Sequence, residues 1–288
     1  MAFRRRRENL RSILRGSTCV RPGSVYDATS IRIAEDLGFE VGMFAGSIGS
    51  MSVLGAPDLI VLTLTEFAGQ AYRICRAGNL ALLVDSDHGY GNALNVKRTV
   101  EELETAGVAA LTIEDTVLPR PFGPSGKPSM ISVEEGVGKM RAALAGRQDR
   151  NLVVAGRTSA LAISGVDETI KRATAYQSAG VDAIFLSGAK TRAEVEAVSS
   201  AVRIPLFLGG TTGDLADLSF LSAHNVKVCL QGHAPFSAAV YAVHETLKAL
   251  RDGVPPGELK NIASSELMRR VTRADDYQKS TKDYLGGA

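Results

Sequence analysis

The sequence predicts an α/β protein built as a (β/α)8 barrel of the TIM type, and three observations carry that prediction. A helical stretch closed by a glycine and followed by a short apolar run recurs along the chain. Eight apolar runs of strand length can be counted in total. The chain, at 288 residues, has the length of one barrel, since α/β barrels of about 250 residues are routinely single domains.

The recurring unit is plainest at Leu37-Gly38-Phe39-Glu40-Val41-Gly42-Met43-Phe44, at Ala106-Gly107-Val108-Ala109-Ala110-Leu111-Thr112-Ile113, and at Ala179-Gly180-Val181-Asp182-Ala183-Ile184-Phe185-Leu186. Glycine supplies the left-handed conformation that stops a helix. The unbroken apolar run that follows is what a parallel strand covered on both faces requires. Taken in order, the strands are expected at Thr18 to Arg21, Val41 to Ala45, Leu80 to Val84, Ala109 to Ile113, Leu152 to Ala155, Ala183 to Leu186, Pro205 to Leu208 and Val226 to Leu230. An open doubly wound sheet is the alternative, but it would show a G-x-G-x-x-G turn after its first strand, and none is present. The expected organisation is one barrel domain over residues 1–288. Its helical region from about residue 255 carries a short apolar stripe at Leu267, Met268 and Val271, suited to packing on a neighbouring subunit.

Composition excludes several classes. Lys and Arg number 33 against 31 Asp and Glu, for a net charge of +2. Mean hydropathy is close to zero, as in a soluble globular protein. No apolar run approaches the roughly 20 residues needed to span a bilayer, and the N-terminus lacks the apolar core of a secretory signal. The expected location is therefore the cytoplasm, with no membrane partner. Cys19, Cys75 and Cys229 are widely spaced and form no C-x-x-C pair, which indicates neither a disulfide framework nor a zinc site. The run Arg4-Arg5-Arg6-Arg7, with Arg11 and Arg15, resembles a nucleic-acid arm, yet the rest of the chain is slightly acidic without it. The favoured reading is a solvated amphipathic first helix and no nucleic-acid partner; a mitochondrial presequence is disfavoured by the early Glu8.

Barrel enzymes place their chemistry at the carboxyl ends of the strands. Here those tips read Gly46-Ser47, Asp85-Ser86-Asp87, Glu114-Asp115, Arg157-Thr158-Ser159, Ser187, Gly209-Gly210 and Gly232-His233. Strand alternation puts Asp85 and Asp87 on one face, where they repel each other unless a cation sits between them. With Glu114 on the next strand, they form a set of oxygen donors without His or Cys, which selects a hard cation, Mg2+ or Mn2+. A single strand-end aspartate is often only a helix cap; two on one tip with a glutamate beside them favour a cation site. Asp115 is expected to face away and to be structural. Arg157 ends a valine-rich strand and needs a carboxylate, either Glu114 or an anionic substrate. His233, at the last strand tip, is balanced between a structural hydrogen bond and a role on substrate. Gly46-Ser47-Ile48-Gly49 can turn backbone N–H groups toward an anion, or be a plain strand-to-helix turn. His88 beside the acid pair is left open.

Asp85-Ser86-Asp87-His88-Gly89-Tyr90-Gly91-Asn92, followed by Ile113-Glu114-Asp115, resembles the isocitrate lyase/phosphoenolpyruvate mutase superfamily, whose hallmark is D-x-D-x-G-Y/F-G with a following I-E-D. Leu54-Gly55-Ala56-Pro57-Asp58 and Gly156-Arg157-Thr158 add two landmarks in the same order. The resemblance implies a (β/α)8 barrel with its last helix swapped between subunits of a dimer, two dimers forming a homotetramer. It also implies Mg2+ chelated by a 2-oxo acid or its enolate. Lyases of this superfamily carry K-K/R-C-G-H after the I-E-D, and their Cys protonates the departing fragment. Here the segment is Pro119-Arg120-Pro121-Phe122-Gly123-Pro124-Ser125-Gly126-Lys127, without a thiol.

Asp87 to Val96, Glu114 to Pro119, Val133 to Lys139 and Gly232-His233-Ala234 are most similar to the branch whose members decarboxylate oxaloacetate. That resemblance implies Asp85 as the direct metal ligand, and Asp87, Glu114 and Asp58 as holders of metal-bound waters. It also implies Ser47, Arg157 and His233 as contacts to a 2-oxo dicarboxylate substrate. Decarboxylation through a metal-stabilised enolate is the expected reaction. The alternatives are a lyase or hydrolase of a related 2-substituted malate or 2-oxo acid, and a catalytically silent dicarboxylate-binding barrel.

Overall fold

The computed structural model describes residues 2–123, 128–210 and 213–286. The chain divides into two compact units, one ending at Gly232 and one beginning at His233.

The first unit alternates helices and strands: α1 (Ala2–Arg15), β1 (Gly23–Ser24), α2 (Ala28–Asp36), β2 (Val41–Phe44), α3 (Gly46–Gly49), α4 (Leu64–Ala77), β3 (Ala81–Asp85), α5 (Ala93–Thr105), β4 (Ala110–Glu114), α6 (Val133–Gly146), β5 (Val153–Thr158), α7 (Ala160–Ile163), α8 (Val166–Ala179), β6 (Ala183–Leu186), α9 (Arg192–Ala201), β7 (Leu206–Leu208), α10 (Leu218–Ala223) and β8 (Val226–Cys229). The eight strands form one sheet in sequence order, and every neighbouring pair is parallel. A parallel bridge between Val20 and Val228 returns β8 to the chain ahead of β1 and closes the ring. The predicted (β/α)8 barrel is the observed fold.

The residues make this outcome physical. β2, β4, β6, β7 and β8 are buried at every position, as strands wrapped by helices must be. Gly107 and Gly180 hold φ of +95° and +102° after their helices, the conformation expected of a helix-stopping glycine.

Two expectations are corrected. The first strand is not Thr18 to Arg21. Val20 alone pairs with β8, its N–H donating to the Lys227 carbonyl at 2.9 Å and its carbonyl accepting from Cys229 N at 3.0 Å. Pairing with β2 waits for Gly23. Pro22, which has no N–H to donate, separates the two ladders.

The second correction concerns α1, which is not a solvated helix. Arg6 and Arg7 are each 6% exposed. Arg7 donates to the carbonyls of Val108 at 2.9 Å and Glu104 at 2.6 Å and to the Asp149 carboxylate at 3.0 Å. Arg11 donates to Asp182 at 2.6 Å and to the Leu152 carbonyl at 2.9 Å, and Arg6 to the Cys75 carbonyl. Val108 and Leu152 lie just ahead of β4 and β5, so the helix seals the amino-terminal rim. The forked guanidinium satisfies several carbonyls at once. Arg4, Arg5 and Arg15 face solvent.

The second unit holds α11 (Ala234–Arg251), α12 (Ser265–Thr272) and α13 (Ala274–Leu285). α11 buries no residue and leaves Val240, Tyr241, Val243 and Leu247 exposed. Among the described residues, no helix is long and apolar enough to cross a membrane.

Candidate active site

β3 ends on Asp85, at the carboxyl rim. Its Oδ1 accepts from Thr112 Oγ1 at 2.8 Å, because β3 and β4 pair with Asp85 opposite Thr112. Its Oδ2 accepts from Arg157 Nη1. On the next ladder Glu114 stands opposite Arg157, and Arg157 Nε lies 3.4 Å from Glu114 Oε2. One ladder further, Arg157 pairs with Phe185, and the guanidinium carbon stands 5.5 Å from that ring's centroid. Asp85, Thr112, Glu114, Arg157 and Phe185 thus form a row across four strands. Thr116 Oγ1 donates to Glu114 at 3.1 Å.

Asp87 arrives differently from the prediction. It lies beyond the strand, in a left-handed turn at φ +48°, so the turn and not the pleat returns its carboxylate toward Asp85. Its carbonyl accepts from Glu114 N at 2.8 Å, and its N–H donates to Asp85 Oδ1 at 3.3 Å. The carboxylate packs against Gly46, where a Cβ would lie 2.8 Å from its Cγ. Gly46 opens the short helix α3, whose next residue is the half-buried Ser47. Asp58 is exposed in the loop before α4 and acts on Asp87 through its charge.

The electrostatics are unbalanced. Burial, then the carboxylates of Asp85 and Glu114, push Asp87 up to about 8, with Arg157 opposing and Asp58 reinforcing. Burial also raises Glu114 against the pull of Arg157. Burial works against the charge of Arg157, yet Asp85 and Glu114 hold its pKa above the usual value. The acids outnumber the single guanidinium among them.

The barrel unit therefore brings together Asp85, Asp87, Glu114 and Arg157, with Ser47 adjoining through Gly46. His233 is the N-cap residue of α11 and belongs to the second unit. Asp115 faces away as expected: fully buried, it accepts from Arg172 at 3.0 Å and from the Tyr176 hydroxyl at 2.8 Å. Sequence reasoning missed Thr112, Thr116 and Phe185; once registers are assigned, a threonine inside the apolar β4 is the one signal that could have pointed to Thr112. Of the loop after Glu114, Pro119 to Gly123 are described, while Pro124, Ser125, Gly126 and Lys127 lie outside the described residues. Cys19, Cys75 and Cys229 are buried and form no disulfide. Among the described residues no three His, Cys, Asp or Glu side chains are grouped to hold a metal by themselves, so a cation here would draw most of its ligands from water and substrate.

Residues 10–251 match the family described as phosphoenolpyruvate phosphomutase. An oxaloacetate decarboxylase of Bradyrhizobium diazoefficiens is 59% identical over 286 residues, 99% of each chain. Among solved structures, oxaloacetate acetylhydrolase in complex with 3,3-difluorooxalacetate superposes with a TM-score of 0.84 at 28% identity, over 98% of this chain and 97% of that one. A phosphonopyruvate hydrolase complex with oxalate and Mg2+ gives 0.83 at 28% identity, over 97% and 99%. With a family match across most of the barrel and a relative this similar end to end, the chain belongs to the phosphoenolpyruvate phosphomutase family, within the isocitrate lyase/phosphoenolpyruvate mutase superfamily.

Proposed function

We propose that this protein is a Mg2+-dependent carboxy-lyase that converts oxaloacetate to pyruvate and CO2. The observation that carries the reading is the row of half-buried Asp85, buried Glu114 and half-buried Arg157 with Asp87 beside it, at the carboxyl rim of a barrel. The high identity to a curated oxaloacetate decarboxylase supports it, as does the absence of cysteine from Glu114 to Ser132.

The residues fit a divalent cation. All the acids are oxygen donors, and burial, reinforced by the charges of Asp85 and Glu114, holds Asp87 at about 8. Asp85 would be the protein ligand, and Asp87, Glu114 and Asp58 would hold its waters; Mn2+ suits the same donors. When bound, the cation supplies positive charge against the negative charge that develops at the C2 oxygen as CO2 departs. Ser47 and the amides beside it hold the C1 carboxylate, and Arg157 and His233 orient the substrate. Loss of CO2 leaves no fragment that must be protonated in the cleavage step, so the loop after Glu114 needs no acid.

The test follows pyruvate and CO2 from oxaloacetate with the uncatalysed decay subtracted. Asp85→Ala and EDTA are each expected to reduce turnover to background; full turnover without divalent metal overturns the metal role. Likeness to oxaloacetate acetylhydrolase makes hydrolysis the second reading, and oxalate plus acetate in place of CO2 plus pyruvate would assign it. His233→Gln is expected to lower turnover, and unchanged kinetics would leave His233 a helix cap only.

The assembly is a homotetramer, a dimer of dimers in which the region from about residue 255 packs on a neighbouring subunit. The apolar side chains that α11 leaves exposed support this, and light scattering reads it as a particle of four chains. Three buried cysteines outside any disulfide support a cytoplasmic location.

A further inference from the structure

The segment Val133 to Lys139 opens α6 and has no part in the chemistry described so far. Its last residue is unusual. Lys139 shares the inward face of α6 with Gly136, Met140 and Ala143, and it is 3% exposed. An ammonium in that position must find acceptors, because burial penalises its charge. Nζ donates to the carbonyl of His88 at 2.9 Å. Burial lowers its pKa, and the carboxylates of Glu135, Glu114 and Asp115 oppose that shift.

His88 lies in the turn that carries Asp87. The turn is costly to hold: Asp87, Gly89, Tyr90 and Gly91 take φ of +48°, +79°, +60° and +147°, and two of these are not glycine. Such conformations persist only where the surroundings over-determine them. Four consecutive carbonyls of this turn each receive a donor from a different place. Ser86 O accepts from Gly89 N at 2.9 Å and Asp87 O from Glu114 N at 2.8 Å. His88 O accepts from Lys139 at 2.9 Å and Gly89 O from Thr99 Oγ1 at 3.0 Å. Lys139 is the one charged donor of the four, and it stands within electrostatic reach of Glu114.

We propose that Lys139 is a positioning residue of the metal site: its ammonium fixes the His88 carbonyl, and through it the left-handed turn that holds the Asp87 carboxylate against Gly46. The proposal rests on the reading of Asp85, Asp87 and Glu114 as a cation site, and its experiment separates the two.

Mn2+ alone is titrated into the full-length protein and free Mn2+ is read by electron paramagnetic resonance, with melting curves in parallel. Asp85→Ala is expected to abolish specific binding. Lys139→Met is expected to weaken Mn2+ binding 10- to 100-fold while the protein still melts cooperatively, the range typical for residues that orient metal-site groups. Lys139→Arg, which keeps a charged donor, is expected to recover most of that loss. In turnover assays the Mg2+ concentration for half-activation rises by the same factor, while kcat at saturating Mg2+ stays within a few-fold. If the Met variant does not fold, Lys139→Gln, one bond too short to reach the carbonyl, carries the same measurement with the same expected loss. Parental Mn2+ affinity in either variant, beside lost binding in Asp85→Ala, overturns the role of Lys139 and leaves the cation site standing. Parental binding in Asp85→Ala overturns both.

Discussion

Gly46→Ala should damage the reaction while sparing the fold. A Cβ at this position would lie 2.8 Å from the Cγ of Asp87, whereas carbon–carbon contacts settle at about 3.5–4.0 Å. One side must retreat by about 0.7 Å or more. Gly46 opens α3 and does not hold a positive φ, so alanine suits its backbone and contributes about 0.4–1 kcal/mol relative to glycine by restricting the unfolded chain. The Asp87 carboxylate is the side-chain end that can yield, and it is also the group whose placement the site needs. A misplacement of about 1 Å can cost on the order of 10²-fold in rate. The expected outcome is a melting temperature within about 2 °C of the parent and a kcat for pyruvate formation lower by about 10²-fold, with a higher Mg2+ requirement. A lactate-dehydrogenase-coupled assay and differential scanning fluorimetry on one preparation read both. Parental kcat and parental Mg2+ dependence would refute the argument that Gly46 exists to admit Asp87.

Three further outcomes follow from the same geometry. In metal-free protein the Asp87 carboxyl stands at about 8 against an ordinary value of 3.8, through burial first and the Asp85 and Glu114 charges next. The stability this group contributes is therefore complete below about pH 4 and is lost as pH rises through about 8, because the unfolded chain ionises first; Asp87→Asn in EDTA at pH 8 should melt above the parent, and a lower melting point would contradict the sign. Tyr176→Phe removes one donor from buried Asp115, whose Oδ1 already lacks a partner, at about 1–3 kcal/mol, and urea unfolding measures it. Arg7→Met strips buried donors from the Val108 and Glu104 carbonyls and from Asp149. It should destabilise by more than about 2 kcal/mol with kcat within about twofold of the parent, and a large kcat loss at full folding would place α1 in catalysis.

Much of this molecule was legible in one dimension because its features are local. A glycine that stops a helix, an apolar run of strand length and an acid at the strand's carboxyl tip all lie within a few neighbouring residues. Eight strands, Asp85, Glu114, Arg157 and the outward-facing Asp115 could therefore be read in advance. The split first strand was also local, since Pro22 is in plain view, but its effect shows only when Val20 and Gly23 meet different neighbours.

What the tertiary structure decided are the matters of partner and face. Asp87 and Asp85 share a site through a left-handed turn over-determined by Glu114, Lys139 and Thr99, not through strand alternation. The arginine run became a rim seal because α1 turns Arg6 toward a carbonyl of α4, and Arg7 and Arg11 toward carbonyls just ahead of β4 and β5. Thr112 holds Asp85 only because β3 and β4 pair in one register. Periodicity tells which residues are covered; which donor reaches which acceptor across tens of residues depends on register and packing, and those exist only once the ring has closed.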